Sequence, residues 1–177
     1  MPALQRTSLT LLGAAVAVTT LATATPASAA SYRCTTSSHT VDDPSYNGPS
    51  SDNWDFTVTL CAKRSAGKIY TTATVKWDGP YTAGNRSPLT FNKARFQLQT
   101  KHSVRGTDPV VAAKNYTGLE YALEHSSGNG NGSYKTGTVA YRASSGRYLA
   151  DGFIQLDWSG DGKDYRSPIL FTASPTV

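Results

Sequence analysis

Groups that do chemistry near neutral pH are scarce in this chain of 177 residues, which holds three histidines, two cysteines and two glutamates beside its aspartates. His39, His102 and His125 stand at none of the spacings used to hold a metal. No His-Glu-x-x-His or Cys-x-x-Cys run occurs, and no Gly-x-Ser-x-Gly elbow presents a serine nucleophile. Glu120 and Glu124 are the only glutamates. On one strand a four-residue step would set them roughly 13 to 14 Å apart, beyond the about 5 to 9.5 Å over which two carboxyl groups hydrolyse a glycoside. The cations are scattered, without the stripe or arginine-rich arm of a nucleic-acid site, so nucleic-acid binding is set aside. No apolar run reaches the roughly 18 to 20 residues that cross a bilayer as a helix.

The apolar run that is present, over residues 9–21, follows a short segment with one cation, Arg6, and precedes small residues at Ala27-Ser28-Ala29. This is the layout of a cleaved secretory leader, which puts residues 1–30 outside the fold and expects a mature protein over 31–177 that is exported and does not insert into a membrane. No Arg-Arg pair precedes the run and no cysteine follows the cleavage point to accept a lipid. Loss of Arg6 takes the formal charge from +5 to +4, mildly basic only. What remains is the size of one domain. Cys34 and Cys61 both lie in the exported part, where an oxidising compartment lets them pair as a disulfide. The richness in Ala, Thr, Ser and Gly is similar to that of exported bacterial proteins.

Period-2 alternation dominates the mature part. Trp54, Phe56, Val58, Leu60 and Ala62 alternate with polar or charged neighbours, and so do Ile69, Thr71, Ala73, Val75 and Trp77, with a short hairpin at Arg64-Ser65-Ala66-Gly67 between them. A third strand over 89–101 sends Ala94, Phe96 and Leu98 inward. A fourth over 117–125 sets Leu119, Tyr121 and Leu123 against Glu120, Ala122 and Glu124, which would pair outward with cations of a neighbouring strand. Weaker strands are expected at 32–41, 134–142, 147–158 and 165–173, with Gly152 marking a bulge that reverses the inward face. Dense Asp, Asn, Gly and Pro punctuation separates them. The expected fold is all-β: an antiparallel two-sheet β-sandwich of about eight short strands, with a closed β-barrel as the alternative. Arg-Ser-Pro-x-x-Phe recurs at 86–91 and 166–171, each time behind a strand ending in tryptophan, and leaves an internal duplication open.

Three features carry binding chemistry. Asp157, Ser159, Asp161 and Asp164 surround glycines in a run that copies the first half of a calcium loop. The second half fails, because Pro168 stands where a bidentate glutamate belongs, and the same residues suit a plain turn. Tyr70 on an outward register, Tyr81 after Gly79-Pro80 and Tyr116 at the start of a strand are candidate contact rings, whereas Trp54, Trp77 and Trp158 fall in register with core residues. Lys93, Arg95 and Lys101 line up on the outward side of one strand, a contact for phosphate-bearing wall polymers or a solvated face. The expectation is a secreted, non-catalytic binding or structural module at the cell envelope or in the medium. Its partner would be a cell-wall polysaccharide or another extracellular protein, with no cofactor beyond that calcium option. Two alternatives stand: a small hydrolase using a loop histidine and aspartate, and an inhibitor of extracellular proteases acting through residues 128–133 or 46–52.

Overall fold

The structure, a computed structural model, describes residues 30–42, 46, 53–80 and 89–177. The leader over 1–29, Tyr81 and the first recurrence of Arg-Ser-Pro lie outside the described residues. Among the described residues nine strands and one helix follow in chain order: β1 (Arg33–Val41), β2 (Trp54–Ser65), β3 (Lys68–Asp78), β4 (Phe91–Ser103), β5 (Val110–Tyr116), α1 (Gly118–Glu124), β6 (Gly132–Lys135), β7 (Val139–Arg142), β8 (Arg147–Trp158) and β9 (Ile169–Leu170).

The hairpin of β2 and β3 forms where expected. Ser65 pairs with Lys68, leaving the two-residue turn Ala66-Gly67 with φ of 46° and 68°. Two positive φ values in succession make the turn whose twist matches that of the flanking strands, and glycine takes the second at no steric cost. Phe56, Val58 and Leu60 of β2 and Ile69, Ala73 and Val75 of β3 are fully or almost fully buried, all on the side the alternation assigned them. Their polar neighbours stand on the opposite face.

All pairings are antiparallel and fall into two sheets. The first runs β1-β2-β3-β6, with β7 also pairing β3, and the second runs β5-β4-β8-β9. They do not join into a closed barrel, so that alternative is ruled out among the described residues. The larger of two buried clusters among the described residues draws Phe56, Leu60 and Val75 from the first sheet and Phe96, Leu98, Ile154 and Leu156 from the second, and the smaller joins Ile69 to Tyr148 of β8. Each such side chain contributes about 1.5 to 3 kcal/mol when taken from water. Trp54, Trp77 and Trp158 belong to the larger cluster, as their register required. Along one open side the last residues run beside β8 as an extended stretch: Tyr148 and Val177 exchange both backbone hydrogen bonds, and Ser174 N–H donates to Ala150. Thr172 N–H meanwhile reaches the Ser37 hydroxyl on β1, so this stretch bridges the two sheets. On the first sheet's outer face Cys34 and Cys61 stand directly opposite each other on β1 and β2, bonded as a disulfide.

Five expectations are corrected. Residues 117–125 form α1 instead of a strand: Leu119 and Leu123, four apart, are both fully buried, and Tyr121 between them is 66% exposed. A spacing of four residues satisfies strand and helix alike, and the helix wins because it hides both leucines on one stripe. Glu124 is therefore not an outward partner of cations but buried, accepting from Thr90 N–H at 3.0 Å and Phe91 N–H at 2.8 Å. Residues 134–142 are two short strands, interrupted where Thr136 bonds the backbone of Ala73 through its own backbone and hydroxyl. The expected strand over 165–173 shrinks to Ile169–Leu170. Gly152 is no bulge either, since residues 148, 150, 152, 154, 156 and 158 stay buried on one side. A Cβ there would sit 2.6 Å from the Phe96 ring, so its glycine is explained by close approach. Register shifts occur instead in β4, between Phe91 and Lys93 and between Thr100 and Lys101.

Candidate functional site

Strand β4 carries Lys93, Arg95, Gln97, Gln99 and Lys101 on the outer face of the second sheet, because Ala94, Phe96, Leu98 and Thr100 between them are buried in the core. The cations are not an open row. Lys93 Nζ lies 3.4 Å from Asp157 and 3.2 Å from Asp164. Hydrogen bonding to Asp164 holds the Lys93 ammonium above its ordinary range, and the adjacent charge adds to that. The Asp164 carboxyl is held below its usual range, first by the backbone N–H of Tyr165 and then by Lys93. Lys101 Nζ pairs with Asp151 at 2.5 Å. The guanidinium of Arg95 donates through Nε and Nη2 to Gln155 Oε1, at 3.0 and 2.7 Å, and its central carbon stands 4.6 Å from the Tyr165 ring centre. Neighbouring β8 thus supplies an acceptor for each cation of β4, which strand order alone could reveal.

Between the two ion-paired ends the face carries one charge, that of Arg95, and beyond it neutral amides. Gln99 Nε2 donates to Gln97 Oε1 at 2.6 Å, and Gln97 Nε2 donates to Asn115 Oδ1 on β5 at 2.8 Å. This relay leaves one amide hydrogen of each glutamine, the Gln99 oxygen and the Asn115 amide group to a ligand. In the same register row Gln97 faces Phe153 on β8, and Phe153 faces Leu170 on β9. Phe153 is half-buried and Leu170 is 71% exposed, so an apolar patch lies beside the amides. Gln97, Gln99, Asn115, Gln155, Phe153, Tyr165 and Leu170 were not singled out from the sequence. The signal available there was the shared register of Gln97 and Gln99 with Lys93 and Arg95.

The tyrosine candidates are not brought together. Tyr70 stands on the outer face of the first sheet, half-buried, with the Lys63 ammonium 5.6 Å from its ring centre. Tyr116, expected at the surface, is buried at the end of β5 and donates from its hydroxyl to the Gly137 carbonyl at 2.6 Å; burial pushes its phenol above the ordinary range. Tyr81 lies outside the described residues.

The calcium reading gains no support from the geometry. Asp157 and Asp164 face Lys93, Asp161 pairs with Arg166 at 3.0 Å while accepting from Lys163 N–H, and Ser159 N–H donates to the Thr90 carbonyl at the entry to β4. Among the described residues no three His, Cys, Asp or Glu side chains converge as metal ligands. Gly160 and Gly162 adopt φ of 79° and 67°, the conformations of a turn joining β8 to the next segment.

A cleft of about 360 Å³ opens between β1 and the β8–β9 side, lined by His39, Asp42, Arg166 and Ser167 over Trp158 and Leu156. It brings a histidine, a carboxylate and a serine to one cavity, yet no hydrogen bond links the three side chains. His102 stacks on Tyr148 with ring centres 4.7 Å apart. His125 stacks on Tyr121 and places Nδ1 2.8 Å from that residue's carbonyl. Among the described residues no histidine is hydrogen-bonded to a carboxylate, as the histidine of a Ser-His-Asp triad is. Of the loops considered as inhibitory, residues 128–133 are tied down, with Gly79 N–H donating to Gly130 and Trp77 Nε1 to Ser126 Oγ at its edge. From 46–52 only Tyr46 is described, buried with its ring centre 5.0 Å from that of Trp158.

Comparison with protein-family profiles, with curated proteins and with solved structures finds no match to this chain.

Proposed function

We propose that this chain is an exported, non-catalytic carbohydrate-binding protein of the cell envelope or medium, and that its contact surface is the middle of the outer face of β5, β4, β8 and β9, between the ion pairs of Lys93 and Lys101. The observation that carries this reading is the amide relay Gln99-Gln97-Asn115 lying beside Phe153 and Leu170. A sugar ring presents vicinal hydroxyls at its edge and C–H groups on its face. Planar side-chain amides offer a donor and an acceptor side by side to the hydroxyls, and exposed apolar side chains suit the C–H face. The relay pre-orients the amides, which lowers the entropy lost on binding. Export is supported by the apolar leader and by the Cys34–Cys61 disulfide, a bond that persists in oxidising compartments. No helix among the described residues is long and apolar enough to cross a membrane.

Sedimentation with insoluble cell-wall polysaccharide and with peptidoglycan tests the reading. The protein should be retained, the double substitution Gln97→Ala/Gln99→Ala should release it, and the retained protein should liberate no reducing sugar on incubation. Absence of retention on every polysaccharide offered would remove the proposal.

A further inference from the structure

We infer that the glycan is uncharged and lies across the four strands of the second sheet, not along β4. This rests on the carbohydrate reading above and narrows it to a ligand class and an orientation.

Charge decides the class. Three cations, Lys93, Arg95 and Lys101, share the face with three carboxylates, Asp151, Asp157 and Asp164. The two ammonium groups are each held by aspartate, and the guanidinium by the Gln155 oxygen and the Tyr165 ring. A phosphate or uronate chain would have to displace an aspartate from each ammonium, leaving that carboxylate unpaired beside the incoming anion, and at Arg95 it would meet a guanidinium already turned to Gln155, covered by Tyr165 and within the field of Asp164. An uncharged chain disturbs none of these pairs.

Placement decides the orientation. The ion pairs sit at the two ends of β4, at Lys93 and Lys101, roughly 27 Å apart along an extended strand. Between them one register row crosses the sheet: Asn115 on β5, Gln97 on β4, Phe153 on β8 and Leu170 on β9. Four neighbouring strands span about 14 Å, enough for a short run of sugars. A chain crossing here meets amides at one end of the row and apolar side chains at the other, with Arg95 and Gln155 on one flank and the Asp151–Lys101 pair on the other. A chain along β4 would run over ammonium and carboxylate groups at both ends, which have no unmet need for hydroxyl partners.

Affinity electrophoresis of the purified protein tests both statements. Gels carry a neutral β-glucan, α-glucan, mannan, galactan or xylan, or else a polyuronate or a phosphorylated mannan, at low and high salt. Retardation is expected in at least one neutral polymer and should survive high salt, because no counterions are released. Asn115→Ala and Leu170→Ala, at opposite ends of the row, should each weaken it by about threefold to tenfold, the worth of one hydrogen bond or apolar contact. The charge-neutral pair Lys101→Met/Asp151→Asn should leave it within twofold. Retardation only by the polyuronate or the phosphorylated mannan, abolished by salt, overturns the uncharged class but keeps the face as a glycan site. Loss in the Lys101/Asp151 variant without loss in the Asn115 and Leu170 variants overturns the orientation alone. No retardation by any polymer defeats the carbohydrate reading itself.

Discussion

Two carboxylates show how differently one functional group is used in this protein. Glu124 Oε1 collects the N–H groups of Thr90 and Phe91 where β4 begins, through a pair of buried hydrogen bonds. Alanine there would leave both donors without that acceptor, at about 1 to 3 kcal/mol each. Urea unfolding of Glu124→Ala should therefore show a loss of about 2 to 4 kcal/mol, and Glu124→Gln, which keeps an oxygen, a smaller one. A loss under about 1 kcal/mol in the alanine variant would contradict this role. Asp164, at the exposed end of the same sheet, is held below the usual carboxylate range by Tyr165 N–H and by Lys93. A depressed carboxyl stabilises the folded state at pH values above the carboxyl pKa of the unfolded chain, and that contribution disappears as pH falls through the folded-state value. An NMR titration should place the Asp164 midpoint below about 3.9. Lys93→Met should raise it only partway, because the larger cause, the backbone bond, remains. A midpoint that ignores the Lys93 substitution would remove the pairing.

Strands with long alternation were readable in the sequence, and short elements were not. β2 and β3 each repeat apolar and polar residues over 11 or 12 positions, enough for one register only, whereas in β8 Leu149 and Phe153 break the alternation and invite a reversal at Gly152 that the strand does not make. α1 has seven residues, and its two leucines fit both periods. The candidate face was half-legible for a related reason: alternation along β4 placed Lys93 to Lys101 on one side, but their partners lie on β8, and which strand neighbours which is not written in either segment. The disulfide was legible because two cysteines permit one pairing. Its consequence belongs to β1, none of whose residues is buried, so that strand is held by its ladder and by the bridge from Cys34 to Cys61, 27 residues apart. The chain-entropy account gives such a bridge about 3 to 4 kcal/mol. Cys34→Ser/Cys61→Ser should lower stability by that order. Amide exchange should quicken in β1 well before β4 or β8, and equal quickening in all three would show that the bridge does not act locally.

Both sheets share one core, and that sets how the whole molecule responds to heat and to ligand. Trp54 and Trp77 from the first sheet and Trp158 from the second lie in the same buried cluster, and residues 172–177 bond to β1 and β8 at once. Separating the sheets would bare apolar surface on both, so neither has a stable state of its own. Indole fluorescence and far-UV circular dichroism should therefore report a single coincident melting transition. A glycan held on the outer face of the second sheet would stabilise the first equally, although it touches none of it. At a free concentration one hundred times its dissociation constant, linkage gives about 2.7 kcal/mol to the folded state as a unit. Both probes should then shift upward together with ligand. Two resolved transitions, with only one of them moved by the polysaccharide, would mean that the sheets melt separately and that the shared cluster does not couple them.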